Sequence, residues 1–330
     1  MGPPDVSQLA RKLRQGDRRA LARAITLAES SRQDHRRAAQ ELLSSIMPFT
    51  GNSFRLGISG VPGVGKSTFI ESFGLHVLEQ GHRIAVLTID PSSPITGGAI
   101  LGDKTRMQDL ARRDGAYIRP SAAGGVLGGV NRRTRDALLL CEAAGYDLIL
   151  VETVGIGQSE TAVARMTDMF LLLLLPGSGD DLQGIKRGAT ELADLVVINK
   201  ADGEMRNAAE RTAADYRHAL HLLRQRTADW TVSVNTVSAL EGKGVDEVWS
   251  SVVRYREIIT GNDIISERRG KQARAWLWDE VSDLLIGRLR KAPGIADRVT
   301  DLEREVADLK LPATVAAEKL IDLFIKAEVP

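Results

Sequence analysis

A single cysteine in 330 residues, Cys141, leaves no intrachain disulfide to form, so a reducing compartment suits the chain. Its setting, "DALLLCEAAG", has helical apolar spacing, and Cys141 is expected as a small core residue, not a nucleophile or ligand. An excess of charge of either sign is also missing. The 44 basic and 43 acidic residues give a formal net charge of +1, which excludes broad attraction to nucleic acid or to a membrane surface. Long apolar runs are absent too: "MFLLLLLP" is far too short to span a bilayer, and the start "MGPPDVSQLARKLRQGDRR" has no apolar signal core. The cytoplasm is the expected location. Repeats and low-complexity segments are lacking. What remains is ordinary globular composition, 43% hydrophobic and 26% charged, on a chain long enough for one large core with appended elements.

Residues 6 to 48 carry apolar positions at threes and fours: Leu9, Leu13, Leu21, Ala22 and Ile25, then Leu42, Leu43 and Ile46. Two or three helices are expected there, broken near Gly16 and ended by Pro48. From Arg55 the pattern changes to short apolar runs with turn residues behind them: "RLGIS", "RIAVLTID", "YDLILVE", "MFLLLLL", "ADLVVIN" and "TVSVNTVS". Near-continuous apolar strands separated by helical patterns are what a parallel sheet covered on both faces requires. The fold class is therefore α/β, a doubly wound, mostly parallel sheet. Three parts are expected: an N-terminal helical extension over 1–51, the α/β domain over 52–260, and C-terminal helices over 261–330 that read as an arm able to meet another subunit.

Within "GISGVPGVGKSTF" the residues Gly60, Val61, Pro62, Gly63, Val64, Gly65, Lys66 and Ser67 satisfy G-x-x-x-x-G-K-[ST] between a strand-like and a helix-like segment. That context defines a phosphate-binding P-loop. Glycines let the backbone wrap a phosphate chain, and the following helix start, with Thr68, offers N–H groups to an anion. Lys66 would bridge the β and γ phosphates, and the Ser67 hydroxyl would coordinate Mg2+.

The base is read further on. "VVINKAD" places Asn199, Lys200 and Asp202 behind a buried strand, the pattern with which GTP-binding proteins recognise guanine. Asp202 can accept from guanine N1–H and from its exocyclic amine, donors that adenine does not present together. A helix cap is the alternative role for Asp202. Downstream, Ser238, Ala239 and Leu240 follow the last strand, where a backbone N–H can donate to guanine O6. GTP and GDP are therefore the expected ligands.

Between these motifs lie the acidic residues of a metal site. Asp90 and Glu152 end two strands, and Asp103 sits in "ITGGAILGDKTRM"; Mg2+ keeps several waters and needs few protein oxygens. Gly155 follows Glu152 at the spacing of a switch-loop contact to a γ-phosphate, and Gln158 is a candidate for positioning water. No arginine stands out as a hydrolytic finger among Arg106, Arg132, Arg133 and Arg165, and "RRTR" at 132–135 reads as a solvated helix start.

On "GVPGVGKST", "DPSSPITGGAILGDKTRM", "LLCEAAGYDLILVETVGIGQSE", "GDDLQGIKRG" and "NKAD", the chain resembles the methylmalonyl-CoA mutase-associated GTPases, the MeaB or ArgK group, through nearly its whole length. The resemblance implies a homodimeric G-protein chaperone of an adenosylcobalamin-dependent acyl-CoA mutase, coupling GTP hydrolysis to cofactor loading and protection. It also implies catalytic and Mg2+-site roles for Lys66, Asp90, Asp103 and Glu152, and switches near 92–107, 153–165 and 177–187. Two alternatives stay open. One is a metal-insertion GTPase, for which one Cys and five His are few ligands, His218 and His221 being the closest spaced. The other is an ATP-dependent small-molecule kinase or transport ATPase.

Overall fold

A computed structural model describes residues 5–30, 32–89, 107–121, 127–153, 159–177, 187–221, 226–292 and 294–328. Their contacts divide the chain into two compact units, Met1–Gln272 and Ala273–Pro330. The first unit opens with helices α1 (Val6–Arg14), α2 (Arg18–Glu29) and α3 (Gln33–Ile46). The expected break at Gly16 is real: its φ of +78° suits glycine, and the Asp17 carboxylate then accepts from Arg19 N at 2.8 Å and Ala20 N at 3.0 Å to start α2.

The α/β core follows in the order β1 (Phe54–Gly60), α4 (Lys66–Glu79), β2 (Ile84–Ile89), α5 (Gln108–Ala111), β3 (Ala116–Ser121), α6 (Leu127–Ala143), β4 (Leu148–Thr153), α7 (Ser159–Ala164) and β5 (Met169–Leu174). It continues with α8 (Arg187–Leu192), β6 (Leu195–Ile198), α9 (Arg206–His221), β7 (Ser233–Thr236) and α10 (Val245–Gly261). The seven strands lie in the order β3-β2-β4-β1-β5-β6-β7, and every pairing is parallel. Strands β1, β2, β4, β5 and β6 are buried along their whole length, as apolar runs covered on both faces must be. One layer of the core joins alternate strand residues such as Leu56, Ile58, Leu150 and Leu171 to Phe69, Phe73, Val248 and Val252 from α4 and α10. On the opposite side α6 packs on β2, β3 and β4, and α1 to α3 pack on α6.

Strand β3 is absent from the strands that the sequence pattern predicts. Its residues "AYIRPS" include Arg119 and Pro120, and among the described residues β3 has one neighbour in the sheet, β2. An edge strand tolerates a proline whose missing N–H faces no partner. Arg119 is not a solvated charge either, because its guanidinium pairs with Glu29 of α2. "RRTR" also differs from expectation: helix α6 begins five residues earlier, at Leu127. Arg132, Arg133 and Arg135 are half-buried and Thr134 is buried, with Arg132 Nε 4.0 Å from the Asp136 carboxylate.

At the N-terminal edge of the sheet two buried ion pairs hold the connection into β1. Arg55 Nε donates to Glu142 Oε1 at 2.8 Å, and Glu142 also accepts from Gly51 N at 2.9 Å and from the Ser53 hydroxyl. Arg269 Nε and Nη2 donate to the two Asp168 oxygens at 2.9 and 2.6 Å. Removing one partner of such a pair costs ~3–5 kcal/mol, because a charge is left buried alone. Burial by itself would raise the Glu142 carboxyl, but Arg55, then Ser53 and Gly51, hold it below its ordinary value. The folded state thus releases this proton more readily than the unfolded chain. The stabilisation is complete above the unfolded value near 4.5 and is lost as pH falls through the folded value. Asp194 runs the other way, its carboxyl raised by burial. We therefore expect the gap in Tm between wild type and Glu142→Gln to shrink as pH falls from neutral to about 3.5. Thermal melts across that range giving a constant gap would remove Glu142 as the acid-sensitive group.

The second unit holds the end of α11 (Ile264–Lys291), which runs on from the first unit, with α12 (Ala296–Ala307) and α13 (Ala313–Glu328). Helices α12 and α13 pack together and bury Leu302 and Ala316, while Leu277, Trp278, Leu285, Ile286, Ile321 and Ile325 are exposed. Trp276 is half-buried and Trp278 is 68% exposed. No helix among the described residues is long and apolar enough to cross a membrane.

Candidate functional site

The G-x-x-x-x-G-K-S segment runs from the end of β1 into α4, with Lys66 as the first helical residue. Gly63 and Gly65 hold φ of +79° and +90°, the left-handed region that glycine enters without strain. Gly60 allows a close approach of another kind: a Cβ there would lie 2.5 Å from the Leu173 carbonyl oxygen. Helix α4 has no side-chain cap, so its first N–H groups point into the loop without a protein oxygen of that kind, as an anion site requires. Lys66 is only 8% exposed. Its Nζ donates to Gly60 O at 2.7 Å and Val61 O at 3.3 Å, which folds the ammonium back over the loop. Ser67 is half-buried on the first turn of α4, beside exposed Thr68. A loop of this shape, closed by a cation and a bare helix start, fits a phosphate chain.

Asn199 ties this loop to the base-reading segments. Its Nδ2 donates to Val64 O at 2.8 Å, and its Oδ1 accepts from Ala239 N at 3.2 Å. Gly65 is required here as well, since a Cβ on it would sit 2.8 Å from Asn199 Nδ2. One amide that is 2% exposed therefore joins stretches 135 and 40 residues away in sequence. Lys200 follows with φ of 59° and an exposed side chain.

Asp202 stands before a short 3-10 turn over Gly203–Met205 but makes no side-chain cap to it. Its Oδ2 instead accepts from the Ser238 hydroxyl at 2.6 Å. That bond orients the carboxylate from outside its own turn: Asp202 holds the N-cap position, but its side chain does no capping. Ser238 N donates to Lys243 O at 3.0 Å, and Ser238 Oγ accepts from Glu241 N at 3.2 Å, making a tight turn around Leu240. The Leu240 side chain is 81% exposed, an apolar surface on this turn.

Glu152 is buried near the end of β4. Register places it beside Ile58 of β1 and Thr88 of β2, on the sheet face that carries α4 and at the strand ends where doubly wound folds bind ligands. Its neighbour Thr153 shares a hydrogen bond of 2.8 Å with Ser59. The donor types Ser67 and Glu152 are hard oxygens and fit Mg2+. Asp90, Asp103, Gly155, Gln158 and Arg106 lie outside the described residues, as do most of the expected first switch, 154–158 of the second and 178–186 of the third. Among the described residues no group of three or more His, Cys, Asp or Glu is placed to hold a metal ion. His218 and His221 are exposed on α9, beside Thr231–Val234. Cys141 is fully buried and its thiol pushed far up by burial, which fits core packing and no nucleophilic role. Local spacing could not reveal the two joints Asn199–Ala239 and Asp202–Ser238, because each depends on strands β6 and β7 lying side by side.

Comparison with known proteins agrees with this geometry. The chain is 48% identical over 284 residues to GTPase ArgK of Escherichia coli, covering 86% of each. It is 45% identical over 329 residues to the mitochondrial methylmalonic aciduria type A homolog of Mus musculus, covering 97% of this chain and 79% of that one. A solved structure described as an LAO/AO transport system kinase superposes with a TM-score of 0.76 at 37% identity, over 97% of both chains. The family described as "Methylmalonyl Co-A mutase-associated GTPase MeaB" matches residues 21–294. With Asn199 joining the P-loop to the Ser238–Ala239 turn, and relatives themselves named as GTPases, the chain belongs to the MeaB family of P-loop GTPases.

Proposed function

We propose that the chain is a magnesium-dependent GTPase acting as chaperone of an adenosylcobalamin-dependent acyl-CoA mutase, in the first instance methylmalonyl-CoA mutase. It would couple GTP binding and hydrolysis in the cytoplasm to cofactor loading and to protection of that enzyme. The observation that supports the guanine part is the Ser238 hydroxyl bond of 2.6 Å to Asp202, which holds the carboxylate in place without committing it to its own turn. The mutase is supported by the family description and by the name of the mouse relative.

In this mechanism Gly60 to Thr68 wrap the phosphates, and Lys66 turns from the loop carbonyls to the β and γ oxygens. Ser67, Asp90, Asp103 and Glu152 would hold Mg2+ or its waters, and Gly155 would meet the γ-phosphate; the metal would supply charge neutralisation to the phosphoryl oxygens. Asp202 reads N1–H and the exocyclic amine, an N–H of Ala239 or Leu240 reads O6, and Asn199 keeps both loops in register while Lys200 and Leu240 flank the base. The helices from 261 onward form a homodimer arm, supported by the exposed Leu277, Trp278, Leu285 and Ile286.

The test is steady-state hydrolysis of GTP and of ATP with Mg2+, alone and with an adenosylcobalamin-dependent methylmalonyl-CoA mutase added. GTP-selective turnover that rises with the mutase is expected. GTP turnover indifferent to the mutase would withdraw that partner, and a preference for ATP would overturn the base assignment.

A further inference from the structure

The connection Arg165–Asp168 joins the short helix α7 to strand β5, and α7 begins directly after residues 154–158. Helix α7 lies close on the sheet: a Cβ at Gly57 of β1 would meet Val163 Cγ1 at 2.6 Å and Thr167 Oγ1 at 2.8 Å. The strand side therefore leaves α7 no room to move inward, and residues 165–168 are its link to β5.

That connection is gripped by one stretch of α11. Arg268 Nη1 donates to the Asp168 carbonyl, and Arg269 takes both Asp168 carboxylate oxygens. Gln272 Nε2 donates to the Thr167 carbonyl at 2.9 Å. The same arginines are held in turn. Arg268 bonds Tyr255 Oη and Thr227 Oγ1 at 2.9 Å each, and Arg269 bonds the Gly51 and Ser53 carbonyls at 2.6 Å each. Asp168 is also locked to β1, accepting from Arg55 N and donating its own N–H to Arg55 O, both at 2.8 Å. Three donor residues from neighbouring turns of α11 thus converge on two consecutive residues, Thr167 and Asp168.

We infer that Arg268, Arg269 and Gln272 are positioning residues for GTP turnover, clamping the α7–β5 connection to the root of α11 and making the start of that helix sensitive to the nucleotide state. The inference rests on the assignment of 153–165 as a switch. The three clamp residues lie on the first turns of α11, within the first unit, so a shift at Thr167 and Asp168 bears directly on residues 264–272.

The experiment is hydrogen–deuterium exchange on the full chain with Mg2+ and either GDP or a non-hydrolysable GTP analogue, following peptides from α7 and from α11, with kcat and KM for GTP measured in parallel. The variant is Gln272→Met. It removes the bond to Thr167 together with Gln272 Oε1, a buried acceptor with no partner among the described residues, so the fold is expected to hold. A second variant, Asp168→Asn with Arg269→Gln, keeps the buried pair neutral and hydrogen-bonded.

In wild type both α7 and α11 should exchange differently in the two nucleotide states. In the variants the α7 difference should persist, the difference at the start of α11, residues 264–272, should fall about threefold or more, and kcat should fall by a similar factor at unchanged KM. A wild-type response in α7 with none in α11, or variants that transmit it fully, would overturn the clamp. No response in either helix, with nucleotide bound, would overturn the switch assignment and the clamp with it.

Discussion

Lys66→Ala is expected to lower GTP turnover by about two orders of magnitude or more, the scale of losing one charge-stabilising donor in a preorganised site. A surface lysine would carry no such weight. Lys66 is held at 8% exposure with its ammonium on Gly60 O and Val61 O, and those carbonyls are the loop's own, so the charge stays within the cradle where phosphate oxygens would gather. The transferring phosphoryl group spreads negative charge over its oxygens, and catalysis is almost wholly positioning and charge stabilisation. The loss should therefore fall mainly on kcat. Phosphate release under saturating GTP is the measurement, with a thermal melt to show that the variant is folded. Turnover within a factor of two of wild type would end the loop's assignment as catalytic.

Asp202→Asn is expected to weaken GTP by about 10³–10⁴-fold relative to xanthosine triphosphate. The carboxylate accepts two donors from guanine, and hydrogen bonds to a charged group contribute ~1.5–3 kcal/mol each. An amide offers one acceptor and one NH2, which suits a base whose C2 position carries a carbonyl. Ser238 makes the exchange clean: its hydroxyl lies 2.6 Å from Asp202 Oδ2 and can equally donate to an amide oxygen, so the variant keeps its orientation. Competitive titration of the two nucleotides decides the matter, and unchanged selectivity would take base reading away from Asp202.

The parts legible in the sequence are those whose chemistry constrains neighbouring residues. Gly63 and Gly65 need positive φ next to a lysine and a helix start, so the phosphate loop is written in consecutive letters. Strands β1, β2, β4, β5 and β6 are buried on both faces and read as apolar runs. Strand β3 hides because an edge position admits Arg119 and Pro120. Contacts across the fold hide for another reason. Arg269 and Asp168 are 101 residues apart, and nothing near either one announces the other. Asn199 was legible as part of N-K-A-D, but its grip on Val64 and Ala239 depends on the strand order around β1, β6 and β7.

The covering of α6 by the three N-terminal helices bears on how this protein can be cut. A fragment beginning at residue 52 would retain every phosphate and base motif, yet it would strip Glu29 from Arg119 and bare the side of α6 on which α1 to α3 rest. The nucleotide-binding part is thus no portable cassette: the opening helices are its outer wall, and trimming them would yield an intact motif in a sticky, failing scaffold.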